Sequence, residues 1–339
     1  MSEHSQPVLR SAVRRLTGVR IVATGGYVPE QVVRNEDLAA LGYDDEWILK
    51  RTGIRERRFA PPEMATSDLA IAASRNCLAL AGVKREDVDL VVVGTFTGDQ
   101  PTPSVACMVQ DALGLSAAAL DVNAACAGFM YALITGMQYV ATGCSRFALV
   151  IGADCNSRIC NPADRKTYPL FGDGAGAVLL AAGDKNQGLV RFTMGADGSG
   201  GKLLRIPGGG TRMPLTPETL AQHQQYITME GRPVFKWAIR LVSDTIYDVL
   251  RTAEMTIADV DYFILHQANI RIIDAVAAEL QIPPEKMLNN LDRYGNTSAG
   301  SIPLVLDEAV RAGRIQPGSN ILFSGFGAGL TWATGLFRW

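Results

Sequence analysis

Short, continuous apolar runs alternate along the chain with longer segments of helical character. The runs at 90–95 and 147–154 are dominated by apolar residues, which is typical of strands buried on both faces. Segment 67–81 has the spacing of an amphipathic helix, and 126–141 and 233–253 are also predicted to be helical. This alternation of strands and helices predicts a layered α/β fold.

The remaining pattern extends this rhythm to both ends of the chain. We predict further strands at 16–28, 118–123, 260–265, 320–323 and 330–337, and further helices at 35–40, 105–113, 270–280 and 298–311, the last interrupted at Pro303. The glycine-rich segment 168–180 matches neither a Walker loop nor a Gly-x-Gly-x-x-Gly loop, so we interpret it as structural. Residues 324–329 are predicted to form a glycine turn.

The chain of 339 residues suits two packed halves of about 150 residues each. The second half repeats the strand–helix order of the first without a residue-by-residue repeat. We therefore divide the chain into a polar, disordered extension at 1–16, a first half at 17–185 and a second half at 186–339. Residues 183–233 have the weakest pattern, and we expect them to join the halves and cover the site.

Composition excludes several classes of protein. A net charge of -2 gives no support for a nucleic-acid or membrane-surface protein. No apolar run reaches about 18 residues and the N-terminus has no signal core, so we expect a cytoplasmic protein. The six cysteines form no Cys-x-x-Cys pair, and with three histidines a metal site is not expected.

The residues around Cys126 carry the first indication of chemistry. In Asp-Val-Asn-Ala-Ala-Cys-Ala-Gly-Phe-Met at 121–130, an apolar run ends and small residues lead into a helical pattern. A thiol at a helix N-terminus loses its proton more easily, and the thiolate is the nucleophile. The alternative is a buried cysteine that packs as a small hydrophobe.

Two further stretches contain polar residues at comparable positions. His266 follows an apolar strand, and Asn296 lies in a turn before a helix. Because open α/β sheets place active groups at the carboxyl ends of strands, Cys126 and His266 are expected at one edge. Taken singly, His266 could be a core or surface histidine and Asn296 a helix cap. The order Cys, His, Asn also fits a papain-like protease, but its local cysteine signature is absent.

Segment 44–58 is basic and contains Trp47 together with Lys50 and four arginines. Stacking and ion pairing in such a stretch could hold an anionic, aromatic ligand. A solvated, charged face is the alternative interpretation.

Several stretches together resemble the β-ketoacyl-acyl-carrier-protein synthase III family of thiolase-fold condensing enzymes. The matching segments are 45–48, 51–57, 121–129, 171–177, 266–269, 295–299 and 325–332. The resemblance extends from about residue 19 to the end of the chain. It implies an α/β fold with two similar halves in a five-layered α-β-α-β-α core, and a homodimer. It also implies a decarboxylative condensation of an acyl-coenzyme A primer with malonyl-acyl-carrier protein, without a cofactor.

The resemblance assigns roles to individual positions. Cys126 would accept the acyl group, while His266 and Asn296 would hold the malonyl thioester carbonyl. The backbone N–H groups of Cys126 and Ala328 would form the oxyanion hole, and Phe326 would face the carboxylate that leaves as CO2. The resemblance also implies coenzyme A contacts, made by Trp47 and Arg165 around the adenine and by Arg51 at the entrance.

Other positions either depart from the family pattern or match it at surface residues that contact the carrier protein. Thr102 stands where a bulky Phe often closes the acyl pocket across the dimer interface, which favours a longer or bulkier primer than acetyl. Lys236 and Arg271 match carrier-protein contacts, although Ala278 and Glu279 replace a basic pair. The 205–225 loop is longer than expected and has no assigned role.

Other functions of the same residues stay open. The alternatives are a starter-unit synthase of a secondary-metabolite pathway, an acyltransferase on this fold, and a non-enzymatic interaction protein. Asn296 beside His266 favours decarboxylative condensation over an elongating synthase, which uses a second His there. No matching Glu motif supports a hydroxymethylglutaryl-type synthase, and the flanking sequences differ from plant-type polyketide synthases.

Overall fold

A computed structural model of the protein describes residues 11–339. Of the predicted disordered extension, residues 1–10 lie outside the described part. The prediction is wrong for its end, because strand β1 (Arg14–Thr17) pairs antiparallel with β9 (Gly188–Ala196). The first residues described therefore belong to the sheet of the second half.

Two large sheets organise the molecule. The first contains β2 (Val19–Tyr27), β5 (Val88–Gly94), β6 (Ala118–Val122), β7 (Phe147–Asp154) and β8 (Gly174–Ala182) in the order β2-β8-β7-β5-β6. The second contains β1, β9, β12 (Tyr262–Leu265), β13 (Met287–Leu288), β14 (Asn320–Gly327) and β15 (Thr331–Arg338) in the order β1-β9-β15-β14-β12-β13.

The two sheets repeat one pattern of strand directions. In the first, β2 and β7 flank β8 antiparallel, while β7, β5 and β6 run parallel. In the second, β9 and β14 flank β15 antiparallel, while β14, β12 and β13 run parallel. The prediction of two similar α/β halves is confirmed at the level of topology, with β1 as an added edge strand.

Helices fill three layers around the sheets. The helices are α1 (Asp45–Thr52), α2 (Thr66–Ala81), α3 (Val105–Leu113), α4 (Gly128–Ala141), α5 (Pro217–Ala221), α6 (Gly231–Ala253), α7 (Ile270–Leu280), α8 (Leu291–Tyr294) and α9 (Ser301–Arg311). The outer face of the first sheet carries α2 and α3, and that of the second carries α6 and α7. Because α4 and α9 pack between the sheets, the order of layers is α-β-α-β-α.

Short elements lie outside these layers. Strands β3 (Val32–Arg34) and β4 (Glu56–Arg58) pair near α1, and β10 (Leu204–Arg205) pairs with β11 (Thr228–Met229). A 3₁₀ helix spans Glu36–Leu41, where the sequence predicts the start of a helix.

The glycine-rich segment 168–180, interpreted as structural from the sequence, contains strand β8. Gly and Ala have low strand propensity, so the sequence pattern does not indicate this strand. Small residues are needed here because helix α9 packs directly on the strand. A Cβ on Gly176 would lie 2.6 Å from Pro303 Cβ.

Three further predictions need correction. Residues 188–196 form strand β9 within a segment predicted to be irregular. Strand β14 continues through Gly327, so the predicted glycine turn shrinks to residues 328–330. Pro303 does not interrupt α9, because it is the third residue of that helix and the first-turn N–H groups have no intrahelical partner.

Candidate active site

Cys126 lies where the first sheet meets the central helices. Strand β6 ends at Val122, a 3₁₀ turn spans Ala125–Ala127, and α4 begins at Gly128. Ala125 has a left-handed φ of 46°, a conformation that persists only when its surroundings fix it. The backbone is thus bent sharply just before the thiol and the helix N-terminus.

Close backbone packing surrounds this bend. A Cβ on Gly327 of β14 would lie 2.7 Å from Cys126 N. Thr331 Oγ1 donates to Ala124 O at 2.8 Å, which ties the turn after β14 to the cysteine segment. The turn containing Ala328 is therefore held next to Cys126.

Burial changes the expected charge state of the thiol. Cys126 is 7% exposed, and burial raises the pKa of its thiol to about 12, with a further rise from the Asp154 carboxylate. A hydrogen bond from Ser298 and the backbone N–H of Cys126 act in the opposite direction on this pKa. The predicted lowering of the thiol pKa is wrong, because the loss of hydration outweighs these donors.

Ser298 and its neighbour Ala299 contact the thiol and a buried carboxylate. Ser298 Oγ donates to Cys126 Sγ at 3.2 Å, and Ala299 N donates to Asp154 Oδ2 at 3.1 Å. Ser298 has a left-handed φ of 52°. Both Ser298 and Asp154 are completely buried, at 0% exposure. Neither residue was predicted from the sequence, since neither lies in a chemical motif that can be read without the fold.

His266 follows β12 at the carboxyl end of the second sheet, as predicted. Its Nδ1 lies 2.8 Å from Ser301 Oγ, and its ring packs edge-on against Phe326 at 5.1 Å. Burial lowers the pKa of His266 to about 3. The imidazole is therefore neutral at physiological pH, and Ser301 is the partner that decides which ring nitrogen carries the proton.

Asn296 lies in the turn after α8. Its Oδ1 accepts from Ser298 N at 2.8 Å. Its backbone N donates to Leu170 O at 2.8 Å, and its carbonyl accepts from Gly172 N. Because Oδ1 is bound within the turn, the amide orientation is fixed and the NH2 group faces away from that turn.

One cavity of about 1370 Å³ brings these groups together. It is lined by Cys126, His266, Asn296, Phe326 and Ala328, which come from both halves of the chain. Segments 201–215 and 227–235 contribute further lining residues. The prediction that the irregular segment covers the site is confirmed for these residues, and the 205–225 loop forms part of the cavity wall.

A stack of four side chains lies beside this cavity. Arg51 lies over Trp47 with 4.6 Å from Cζ to the ring centroid, and Arg165 lies over Tyr43 at 4.0 Å. Tyr43 and Trp47 are stacked at 3.5 Å with a 7° angle between their planes. Asn269, which lines the cavity, donates to Arg51 O at 3.1 Å. Tyr43 thus fills the space between Trp47 and Arg165.

The two predicted carrier-protein contacts lie close to each other on the surface. Lys236 on α6 and Arg271 on α7 are exposed, and the Arg271 guanidinium lies 5.6 Å from the Phe235 ring. Arg232 and Arg240 lie one helical turn before and after Lys236 and are also exposed. These two arginines were not predicted from the sequence. Phe235 lines the cavity, so the basic patch borders its rim.

Thr102 is exposed and does not line the cavity of its own chain. A contribution to the acyl pocket would therefore have to come from a second copy of the chain.

Within residues 11–339, no helix is long and apolar enough to cross a membrane. The same part of the chain contains no cluster of three or more His, Cys, Asp and Glu side chains that could hold a metal ion.

The duplicated, five-layered fold, with a buried cysteine from one half facing a histidine and an asparagine from the other, defines the class of thiolase-fold condensing enzymes. Two family models match the chain. The one described as 3-oxoacyl-[acyl-carrier-protein (ACP)] synthase III covers residues 120–198, and its C-terminal counterpart covers residues 250–339.

A β-ketoacyl-[acyl-carrier-protein] synthase III from Rhodopirellula baltica is 51% identical, over 96% of this chain and 99% of its own length. The chain therefore belongs to the β-ketoacyl-acyl-carrier-protein synthase III family.

Solved structures agree with this assignment. The synthase III of Thermus thermophilus superposes with a TM-score of 0.87 at 43% identity, covering 94% of this chain and 98% of the other. The priming β-ketosynthase of the R1128 polyketide biosynthetic pathway superposes with a TM-score of 0.88 at 35% identity, covering 98% of both chains.

Proposed function

We propose that this protein catalyses the initiating condensation of fatty-acid biosynthesis, in which an acyl-coenzyme A primer and malonyl-acyl-carrier protein give 3-ketoacyl-acyl-carrier protein, coenzyme A and CO2. The observation that carries the proposal is the meeting of Cys126, His266 and Asn296 at one cavity. The chemistry uses these side chains and the two thioester substrates, without a cofactor. We further propose that the enzyme acts as a homodimer in the cytoplasm.

Acyl transfer to Cys126 is the first step. The thiolate attacks the thioester carbonyl of the primer, and the coenzyme A thiolate leaves as the acyl-cysteine forms. Backbone N–H groups of Cys126 and Ala328 would donate to the tetrahedral oxyanion, and each such donor contributes about 3 kcal/mol. The Thr331 bond to Ala124 supports this pairing, because it holds the Ala328 turn beside the cysteine.

Condensation is the second step. Loss of CO2 from the malonyl thioester develops an enolate, whose oxygen would be held by the Asn296 amide and by His266. The enolate carbon attacks the acyl-cysteine carbonyl, and Cys126 leaves as a thiolate. Phe326, which is 3% exposed and packs against His266, would give the malonyl carboxylate an apolar neighbour that favours its loss as CO2.

A neutral His266 can assist only as the correct tautomer. For Nε2–H to donate to the enolate oxygen, Nδ1 must accept a hydrogen bond. Ser301 Oγ, at 2.8 Å, can supply that proton, although it also lies 2.8 Å from Ser298 O as a competing acceptor. Donation from Ser301 to Nδ1 therefore stabilises the tautomer that carries its proton on Nε2, which is the donor on the substrate side.

Coenzyme A and the carrier protein would bind at the rim. Trp47, Arg165 and Arg51 are the proposed contacts for coenzyme A, and the adenine would replace Tyr43 between Trp47 and Arg165. Lys236 and Arg271 are the proposed contacts for the acidic carrier protein. Thr102 of a second copy is proposed to leave room in the acyl pocket for a primer longer than acetyl.

Intact-protein mass spectrometry tests the reaction directly. The protein is incubated with acetyl- to dodecanoyl-coenzyme A and then with malonyl-acyl-carrier protein, in parallel with Cys126→Ser. We expect acylation that the variant loses, followed by a 3-ketoacyl carrier product. Preference for acetyl-coenzyme A would contradict the role of Thr102, and the absence of acylation by any primer would contradict the proposed function.

A starter-unit synthase of a polyketide pathway is the second candidate, because a priming β-ketosynthase of such a pathway covers 98% of this chain at 35% identity. Presenting malonyl groups on fatty-acid and polyketide carrier proteins in the same assay separates the two functions. Acylation without condensation on either carrier would instead indicate an acyltransferase.

A further inference from the structure

Arg57 is a fully buried cation whose hydrogen-bond acceptors are all neutral. It lies in β4, opposite Val33 of β3, and is 0% exposed. Its Nη1 donates to Val33 O at 3.1 Å, and its Nη2 donates to Asn35 Oδ1 and Pro169 O, both at 2.8 Å. Its Nε has no hydrogen-bond partner among the described residues. A buried charge without a charged partner costs free energy, so this cation is a candidate for a functional role.

Arg57 remains protonated despite its burial. Burial lowers the pKa of its guanidinium to about 10, while acidic side chains, of which Tyr168 acts most strongly, oppose this shift. A pKa near this value leaves the side chain charged at physiological pH. Its N–H groups therefore form charge-assisted hydrogen bonds, which are stronger than those between neutral groups.

The segment 169–172, to which Arg57 donates, also holds Asn296. Asn296 N donates to Leu170 O at 2.8 Å, and Gly172 N donates to Asn296 O at 3.0 Å. The two stretches thus pair like short parallel strands. The backbone on both sides of the Asn296 side chain is bonded to this one segment.

Side chains hold both ends of segment 169–172. Arg57 donates to Pro169 O at one end, and Asn156 Nδ2 donates to Gly172 O at 2.7 Å at the other. Removal of the guanidinium therefore frees one end of the segment and leaves the other end held.

The stem of Arg57 packs against both stretches of this pairing. A Cβ added to Gly172 would lie 3.2 Å from Arg57 Cβ, and one added to Gly295 would lie 3.3 Å from the same atom. Gly295 directly precedes Asn296 in the chain. Arg57 therefore lies directly behind the turn that presents the Asn296 amide.

We propose that Arg57 positions Asn296 for the condensation step by holding segment 169–172. The inference rests on the proposed function, in which the Asn296 amide donates to the enolate oxygen. Because Arg57 is fully buried and touches no substrate, it acts only through Asn296. A donor to a developing charge must be held in place, and a displacement of about 1 Å can slow a reaction about a hundredfold.

Acylation of Cys126 should not depend on Arg57. Cys126 precedes α4, the turn before it accepts a hydrogen bond from Thr331, and Gly327 packs against it. None of these residues belongs to β4 or to segment 169–172. Loss of Arg57 should therefore separate the two half-reactions, whereas a general loss of stability would lower both.

Two variants of Arg57 and one control test this role. Arg57→Met removes the guanidinium and keeps an unbranched stem, and Arg57→Lys keeps the charge without the planar fork. Lys286→Met is the matched control, because Lys286 Nζ also donates to three backbone carbonyls, those of Ile257, Ala258 and Val260. Thermal melting and urea unfolding measure the stability of each variant.

Amide hydrogen exchange followed by mass spectrometry reports on the Asn296 turn without any substrate. In Arg57→Met, the peptides that contain Gly172 and Asn296 should exchange about tenfold faster or more, because their N–H groups lose fixed partners. The peptide that contains Cys126 should exchange as in the wild type, and Lys286→Met should change none of these peptides. If Arg57→Met does not fold, Arg57→Lys should show the same pattern with a smaller change.

Kinetics of the half-reactions test the consequence. Acylation by acyl-coenzyme A should stay within about twofold of the wild type in Arg57→Met. Condensation of the pre-acylated enzyme with malonyl-acyl-carrier protein should lose about tenfold or more in kcat with little change in KM. The reason is that a misplaced donor loses more on the charged enolate than on the neutral carbonyl. Arg57→Lys should lie between the wild type and Arg57→Met.

A double-mutant cycle separates positioning from a general effect on the site. In an Asn296→Ala background, Arg57→Met should cause no further loss of condensation, because the group that it positions is already absent. A further loss as large as in the wild-type background would contradict the positioning role.

The two measurements distinguish this inference from the proposed function. Faster exchange at Asn296 in Arg57→Met, together with a wild type that condenses no substrate, would refute the proposed function and leave the positioning of Asn296 in place. Normal condensation by the wild type, together with unchanged exchange in Arg57→Met or equal losses in both half-reactions, would refute the positioning role and leave the proposed function in place.

Discussion

At the scale of single residues, burial decides the protonation states in the candidate site. Helix α4 offers its N-terminus to Cys126, but loss of hydration raises the pKa of the thiol to about 12. The same cause lowers the pKa of His266 to about 3. Both groups are therefore neutral in the resting site, and reactivity depends on where a proton can go.

The protonation of His266 leads to the first prediction. The imidazole stays neutral above about pH 3. Between pH 8 and pH 5, kcat/KM for malonyl-acyl-carrier protein should therefore not fall through protonation of His266. The measurement is a pH profile of condensation with pre-acylated enzyme, and His266→Asn is the variant that removes the group. A decrease of kcat/KM below about pH 6.5 that is absent in His266→Asn would show that His266 becomes protonated in this range, against the prediction.

Tyr43 leads to the second prediction. Its ring stacks on Trp47 at 3.5 Å, so adenine can bind there only after this contact is broken. An aromatic pair contributes about 0.5–1.5 kcal/mol, and Tyr43→Ala should therefore lower the KM for acyl-coenzyme A about two- to tenfold. Steady-state kinetics measure the change, with Tyr247→Ala, an exposed tyrosine on α6, as the control. A raised KM would show that Tyr43 is itself part of the binding site.

At the scale of elements, small residues allow the two halves to meet around the nucleophile. A Cβ on Gly152 of β7 would lie 2.1 Å from Ala299 O, and one on Gly94 of β5 would lie 2.4 Å from Gly128 C. These glycines bring strand ends into direct contact with the turns that carry the site. Tertiary packing is the reason that glycine is required at these positions. From the sequence alone, a glycine in a strand could equally mark a bulge, a bend or a close backbone approach.

Gly327 of β14 gives the prediction at this scale. Its Cβ in Gly327→Ala would lie 2.7 Å from Cys126 N and 2.9 Å from Cys126 Cβ. Overpacking of this kind costs about 1–3 kcal/mol, and here it also displaces the nucleophile. We expect a lower free energy of unfolding in urea and at least a hundredfold slower acylation. Gly198→Ala, where a Cβ meets nothing within 4 Å, should leave both unchanged. An acylation rate in Gly327→Ala equal to that of the wild type would contradict this prediction. It would mean that β14 and the Cys126 segment move apart without a cost in free energy.

At the scale of the whole molecule, the net charge of -2 conceals a local basic surface. Arg232, Lys236 and Arg240 follow one face of α6, and Arg271 lies on the adjacent α7. This basic patch borders the cavity from which a carrier-bound substrate would enter. Such a surface attracts an acidic partner and makes the association rate dependent on salt.

The last prediction concerns this patch. Lys236→Glu combined with Arg271→Glu should raise the KM for malonyl-acyl-carrier protein about tenfold or more, and the dependence of kcat/KM on salt should become weaker. Acylation by acyl-coenzyme A should not change, which separates docking from chemistry. Arg75→Glu combined with Lys84→Glu, two exposed positions in the other half, is the control with the same change in net charge. Equal losses in the control and the double variant would argue for a general effect of charge.

The sequence by itself determined the order of most strands and helices, the existence of two similar halves and the identity of three chemical groups. These follow from hydrophobic periodicity and from motifs around Cys126, His266 and Asn296, which are local properties of the chain. The family resemblance added the reaction, because several motifs occur in one order.

Tertiary structure alone decided the remaining features. Strand β8 exists because two neighbours pair with it and α9 packs on it, although its glycines and alanines have low strand propensity. Contacts between distant segments join Cys126 to Ser298 and Asp154 to Ala299, and stack Tyr43 between Trp47 and Arg165. The pKa of the thiol rises because the assembled halves exclude water from it, and dehydration is a property of the packed molecule that no local pattern contains.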